Sequence, residues 1–170
     1  MIALIGYRAT GKTTLGRKLA HRLGYRFKDS DAEIEKIAGK TIAKIFSEDG
    51  EPHFRDLEEK VIEKLCREED IVLATGGGAI LREATRERLR EAGMIVWLTA
   101  SPEAILKRMA GDVRNAATRP NLTAQGGLDE ILHILAVREP LYRELAVLTI
   151  STENVSPGEL VERIIDEAIR

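Results

Sequence analysis

Short apolar runs punctuate the chain at Ile2–Ile5, Tyr25–Phe27, Ile71–Ala74, Met94–Leu98 and Val147–Ile150. They are rich in β-branched, leucine and aromatic residues, which suits strands buried on both faces. Between them, apolar positions recur at three or four residues: Phe54, Leu57, Val61 and Leu65 in one stretch, Leu160, Ile164 and Ala168 in another. That spacing predicts helices with one buried stripe. Strands alternating with helices predict an α/β protein, a five-stranded parallel sheet between two helical layers.

Two stretches break the alternation. Residues 31–67 read as nearly all helical, with breaks at Gly39 and Gly50. That is too long for a bare crossover and predicts a small helical insertion. Residues 111–127 are rich in Gly, Ala, Asn, Thr and Arg and have no apolar period. Loops of this length are commonly functional, and the reading stays open between a lid and a plain surface loop.

Composition narrows the class. A chain of 170 residues predicts one domain with its own core, and 44% hydrophobic with 32% charged residues excludes a disordered or fibrous protein. No apolar run approaches the roughly 20 residues of a membrane span. The net charge of −2 lacks the basic footprint of a nucleic-acid binder. Any anion must therefore be met by a few placed cations. No basic leader or secretory core opens the chain, and Cys66 is the single cysteine. Both favour a cytoplasmic location.

Gly6-Tyr7-Arg8-Ala9-Thr10-Gly11-Lys12-Thr13 matches G-x-x-x-x-G-K-[ST] without a mismatch, after a strand and before a helix bearing Leu15, Leu19 and Leu23. The glycines let backbone N–H groups turn inward around phosphates, and the helix start adds a field that favours anions. Lys12 suits the β- and γ-phosphates, and the Thr13 hydroxyl suits Mg²⁺. This is a nucleoside triphosphate site. No Asn-Lys-x-Asp base-reading motif of a GTPase is present, and the chain is short for a motor ATPase. A small kinase fits best.

Phe27-Lys28-Asp29-Ser30-Asp31 falls at the C-terminal end of the second strand, where open α/β sheets bind ligands. Two carboxylates there can serve a metal and a second substrate; alternatively Ser30 or Asp31 simply caps a helix. Gly76-Gly77-Gly78 removes every side chain where the third strand meets the next helix, so that a ligand can approach bare N–H groups. Arg55 and Arg138 are ordinary surface arginines unless both point to one anion.

Taken in order, these elements resemble the shikimate kinase family. The resemblance rests on the phosphate loop at 6–13, Asp29-Ser30-Asp31-x-x-Ile34-Glu35, Ile42-x-x-Ile45-Phe46 with Gly50-Glu51-x-x-Phe54-Arg55-x-x-Glu58, the triple glycine 76–78, Arg119-Pro120 and Arg138-x-Pro140-Leu141-Tyr142. It spans the first strand to Pro157, nearly the whole chain, and implies one P-loop kinase domain over residues 1–170. Its acceptor region would cover about 29–62 and its lid about 109–126.

The activity implied is ATP-dependent phosphorylation of the shikimate 3-hydroxyl, in aromatic amino-acid biosynthesis, with Mg²⁺. Asp31, Lys12 and Arg119 would be catalytic. Ala9, Thr10, Gly11, Lys12, Thr13, Thr14, Arg108, Arg119 and Pro157 would hold ATP. Asp31, Arg55, Gly76, Gly77, Gly78 and Arg138 would hold shikimate, and Thr13, with Asp29 through water, would serve the metal. ATP and shikimate are the implied partners, with no nucleic acid or membrane, and the protein would act as a monomer. Arg119-Pro120-Asn121-Leu122 departs from the family's Arg-Pro-Leu-Leu, and Arg114 stands as an alternative to Arg119.

Two rivals remain: another small P-loop kinase, with a gluconate or nucleotide acceptor, and a silent relative that binds nucleotide and acts through a protein partner. His21, His53 and His133 are scattered, with no second metal ligand at useful spacing, and receive no role; Cys66 and Trp97 are read as packing, and 82–91 as a solvated helix. Tyr7 and Arg8 occupy variable loop positions and receive no role.

Overall fold

In a computed structural model, residues 1–111 and 127–169 are described. Five parallel strands form one sheet: β1 (Ile2–Ile5), β2 (Arg26–Asp29), β3 (Ile71–Ala74), β4 (Met94–Thr99) and β5 (Leu148–Ser151), in the order β2-β3-β1-β4-β5. The helices are α1 (Lys12–Leu23), α2 (Ser30–Ala38), α3 (Ile42–Glu48), α4 (Gly50–Cys66), α5 (Glu83–Ala92), α6 (Pro102–Gly111), α7 (Gly127–Leu145) and α8 (Pro157–Ile169). A 3-10 turn at Ala79–Leu81 precedes α5.

The continuous apolar strands are explained by cover on both faces. Ala3, Ile5, Ile71, Leu73, Ile95 and Trp97 pack on one side with α2–α5 and α7. Ile2, Leu4, Val72, Val96 and Leu98 pack on the other with Leu15 and Leu19 of α1 and Leu160 and Ile164 of α8. Successive residues of one strand thus serve opposite layers, as the period of two requires. β1 and β3 are neighbours, yet β1 leads into α1 on one face and β3 into Ala79 and Ile80 on the other. The chain diverges there, and a crevice opens at the strands' C-terminal ends.

Several sequence expectations shift at their edges. β2 was expected at 25–27 but starts at Arg26 and runs to Asp29, pairing Lys28 with Leu73 and Asp29 with Ala74. Tyr25 is used otherwise: its N–H donates to Ala20 O, 2.8 Å, closing the end of α1 beyond left-handed Gly24. β5 starts one residue later than expected, and Val147 is exposed. Ala168, expected on the buried stripe of α8, is exposed beyond Ile164.

The insertion predicted at 31–67 is α2, α3 and α4. Gly39 ends α2 in the left-handed conformation, and Asp49 separates α3 from α4. The solvated helix expected at 82–91 begins at Glu83 and buries Thr85 and Leu89. Among the described residues, no helix is long and apolar enough to cross a membrane.

Candidate active site

The phosphate loop lies at the mouth of the β1–β3 crevice. A methyl group on Gly6 would sit 2.4 Å from the Leu98 carbonyl oxygen, so only glycine lets the loop pass this close to β4. Left-handed turns at Ala9 (φ 61°) and Gly11 (φ 96°) give the kind of backbone that gathers N–H groups into an anion-binding concavity. No side chain caps the start of α1. Thr10 donates to Tyr7 O at 2.8 Å, and Lys12 Nζ reaches Gly6 O and Tyr7 O at 2.8 and 2.7 Å.

A cavity of about 700 Å³ opens over this loop. Ala9 to Thr14 line it on one side, and Arg108, Thr152, Val155, Pro157 and Leu160 on the other. Arg108 is held by the Thr152 hydroxyl at 2.9 Å, Thr152 O at 3.0 Å and Ala9 O at 3.3 Å. Its guanidinium thus ties the phosphate loop to the segment leading into α8.

Asp29 is the last residue of β2 and also the helix cap, a task the sequence alternatives gave to Ser30 or Asp31. Its Oδ1 accepts from the N–H groups of Asp31 (3.0 Å) and Ala32 (3.4 Å), while Oδ2 accepts from the Thr13 hydroxyl at 3.0 Å. Thr13 and Asp29 therefore present hard oxygen donors together, a set that fits Mg²⁺. No group of three or more His, Cys, Asp or Glu able to hold a metal occurs among the described residues. An ion here would take most of its ligands from phosphate and water. Ser30, buried, accepts from the Gly76 N–H at 2.9 Å and fixes the triple glycine beside Asp31.

Gly76 and Gly78 make room for side chains, whereas Gly77 runs close to the backbone at Gly6 O, 3.3 Å from where a methyl carbon would stand. A methyl group at Gly76 would lie 2.7 Å from Asp31 Oδ1 and 2.9 Å from Glu58 Oε1. At Gly77 it would lie 3.5 Å from Arg138 Nη1, and at Gly78 2.6 Å from both Arg55 terminal nitrogens. Arg55 and Arg138 do converge, and they line a second cavity of about 80 Å³ with Asp31, Glu58 and the apolar Ile42, Phe46 and Phe54. Asp31 and Gly77 line both cavities.

Electrostatics sharpen the picture. Arg55 donates to Glu58 Oε2 at 2.6 Å, while Glu58 Oε1 is buried without a hydrogen bond among the described residues. Burial pushes the Glu58 carboxyl above its usual range, and Arg55 opposes the shift. Tyr142 donates its hydroxyl to Gly77 O, and burial pushes that phenol up to about 12.

A family model described as Shikimate kinase matches residues 8–169. The chain belongs to the shikimate kinase family. The shikimate kinase of Nitrobacter winogradskyi is 48% identical over 168 residues, which is 99% of this chain and 74% of that protein. That of Rhodopirellula baltica is 42% identical over 97% of this chain and 88% of its own. The solved structure of shikimate kinase from Acinetobacter baumannii in complex with shikimate superposes with a TM-score of 0.91 at 39% identity, covering 99% of this chain and 92% of that one.

Within this shikimate kinase fold, every described residue expected at the site lines one of the two cavities. Arg119, its alternative Arg114 and residues 112–126 of the expected lid lie outside the described residues. Sequence reasoning missed Ser30 as the support of Gly76. It also missed Arg8, which is buried and paired with Glu130 at 2.6 Å. His21, His53 and His133 are exposed, and Trp97 stacks on Tyr142 in the core.

Proposed function

We propose that the protein transfers the γ-phosphoryl group of ATP to the 3-hydroxyl of shikimate, acting as a monomer. The observation that carries this reading is the sharing of Asp31 and Gly77 by the nucleotide cavity and the arginine-lined cavity. An acceptor hydroxyl beside Asp31 meets the terminal phosphate at that boundary.

Paired guanidinium forks suit a carboxylate. Arg55 and Arg138 grip the shikimate carboxylate, and Ile42, Phe46 and Phe54 offer an apolar wall to the ring. Asp31 orients the 3-hydroxyl and takes its proton as oxygen attacks phosphorus; the bond from the γ-phosphorus to the bridging oxygen breaks, and ADP leaves. Such transfers depend mainly on positioning and charge stabilisation.

Ala9–Thr14 and Lys12 hold the phosphates, and Arg108 and Pro157 flank the base. Thr13 and Asp29 would hold Mg²⁺, which would supply positive charge against the triphosphate. The lid reading gives Arg119 the same task, with Arg114 as its alternative. Asp31→Asn tests the acceptor assignment: kcat for shikimate phosphorylation should fall ~10²–10⁴-fold, the range for loss of a positioned base. Unchanged turnover would put the acceptor elsewhere.

A further inference from the structure

The phosphate loop carries a second basic residue, and Arg8 does not face the nucleotide cavity. It is 8% exposed and lines the acceptor cavity beside Tyr7. Its Nη2 lies 2.6 Å from Oε1 of Glu130, which is 1% exposed and 122 positions away in the chain. By contrast, Arg22–Glu162, at 60% and 55% exposure, is of the surface type that contributes little. A pair buried as deeply as Arg8–Glu130 costs desolvation on both sides, so its contribution is better sought in geometry than in stability.

What that geometry fixes is α7. Glu130 sits in its first turn, and Ile131, Ile134 and Leu135 pack on Tyr7 and Ile105. Two turns further on, the same helix carries Arg138, and one more turn brings Tyr142, whose hydroxyl donates to Gly77 O. The helix is therefore pinned to the phosphate loop near its start and to the triple glycine near its end, and Arg138 projects between the two pins. We propose that Arg8 and Glu130 are a positioning pair that holds α7, and with it Arg138, at a fixed distance from the phosphate loop. The acceptor grip then depends on a residue of the nucleotide cradle. This rests on the reading that Arg138 holds the acceptor carboxylate.

The test is a double-mutant cycle in the whole enzyme, with Glu130→Gln, Arg138→Lys and the two combined. Glu130→Gln should raise the shikimate KM about tenfold and the ATP KM no more than about twofold, a coupling of the size expected for residues sharing one element. In the combined variant the shikimate KM should match that of Arg138→Lys alone, because the pair acts through Arg138. Effects that multiply in full would show a general structural role and overturn the proposal. Glu130→Asp keeps the charge but shortens the reach, and it replaces Glu130→Gln in the same cycle if that variant does not fold. Should Arg138→Lys itself leave the shikimate KM unchanged, the acceptor assignment fails and this inference with it. If Arg138→Lys raises that KM and neither Glu130 variant does, only this inference fails.

Discussion

Arg55 occupies the space that a side chain on Gly78 would need, with both terminal guanidinium nitrogens 2.6 Å from where the methyl carbon would stand. The backbone at Gly78 (φ −97°, ψ 1°) is open to alanine, and the nearest conflict is with the guanidinium. That guanidinium is the far end of a flexible chain and can move away without unfolding the protein.

Gly78→Ala should therefore fold normally yet misplace Arg55. Loss of charge-assisted hydrogen bonds of ~1.5–3 kcal/mol corresponds to a shikimate KM raised roughly 10–100-fold. The ATP KM should stay near its starting value. Steady-state kinetics against both substrates, with a thermal melt as control, check this. A melt that drops sharply would mean that Arg55 cannot yield and that the glycine is structural.

Asp29 combines a helix cap and a contact to Thr13, and two substitutions separate them. Asp29→Asn keeps an oxygen for the Asp31 and Ala32 N–H groups but loses the charge beside Thr13. It should raise the Mg²⁺ concentration needed for half-maximal activity with little change in stability. Asp29→Ala should do the same and also lose ~1 kcal/mol, the usual cost of a missing cap. Mg²⁺ titrations and urea melts of both variants distinguish the roles.

Burial pushes the Cys66 thiol up to about 11. Since the thiolate is the reacting species, the native protein at pH 8 should react with a disulfide reagent far more slowly than the urea-unfolded chain. Equal rates would show that α4 leaves the sulfur solvated.

Tyr142 gives the alkaline limb of stability. Its folded-state value of about 12 stands above the ordinary phenol value near 10. The folded state thus keeps a proton that the unfolded chain releases. This contribution is fully present below about pH 10 and is lost as pH rises toward 12. Urea melts between pH 9 and 11.5 should show falling stability, and Tyr142→Phe should flatten that fall while losing the bond to Gly77. Burial raises Tyr7 as well, so some slope remains.

Much of this architecture was legible in the chain because chemistry constrains spacing. The phosphate loop must follow a strand and open a helix, and Asp29 and Asp31 must lie at a strand end to reach a ligand. Strand edges were less legible, since helix caps compete for the same residues: Tyr25 closes α1 and does not extend β2. Nor does a run of three glycines say that Asp31 and Glu58 crowd Gly76 and Arg55 crowds Gly78. Arg8 and Glu130 are the clearest loss, because nothing local marks a contact across 122 positions. Only the packing of α7 brings them together.

The central claim is that the cavity bearing Arg55, Arg138 and Asp31 receives shikimate beside bound ATP. ADP release by the purified protein with Mg·ATP should be measured against shikimate, quinate, gluconate, AMP and no acceptor. The account predicts strong turnover with shikimate alone. Preference for gluconate or AMP, or no turnover with any acceptor in a protein that still binds ATP, would contradict it.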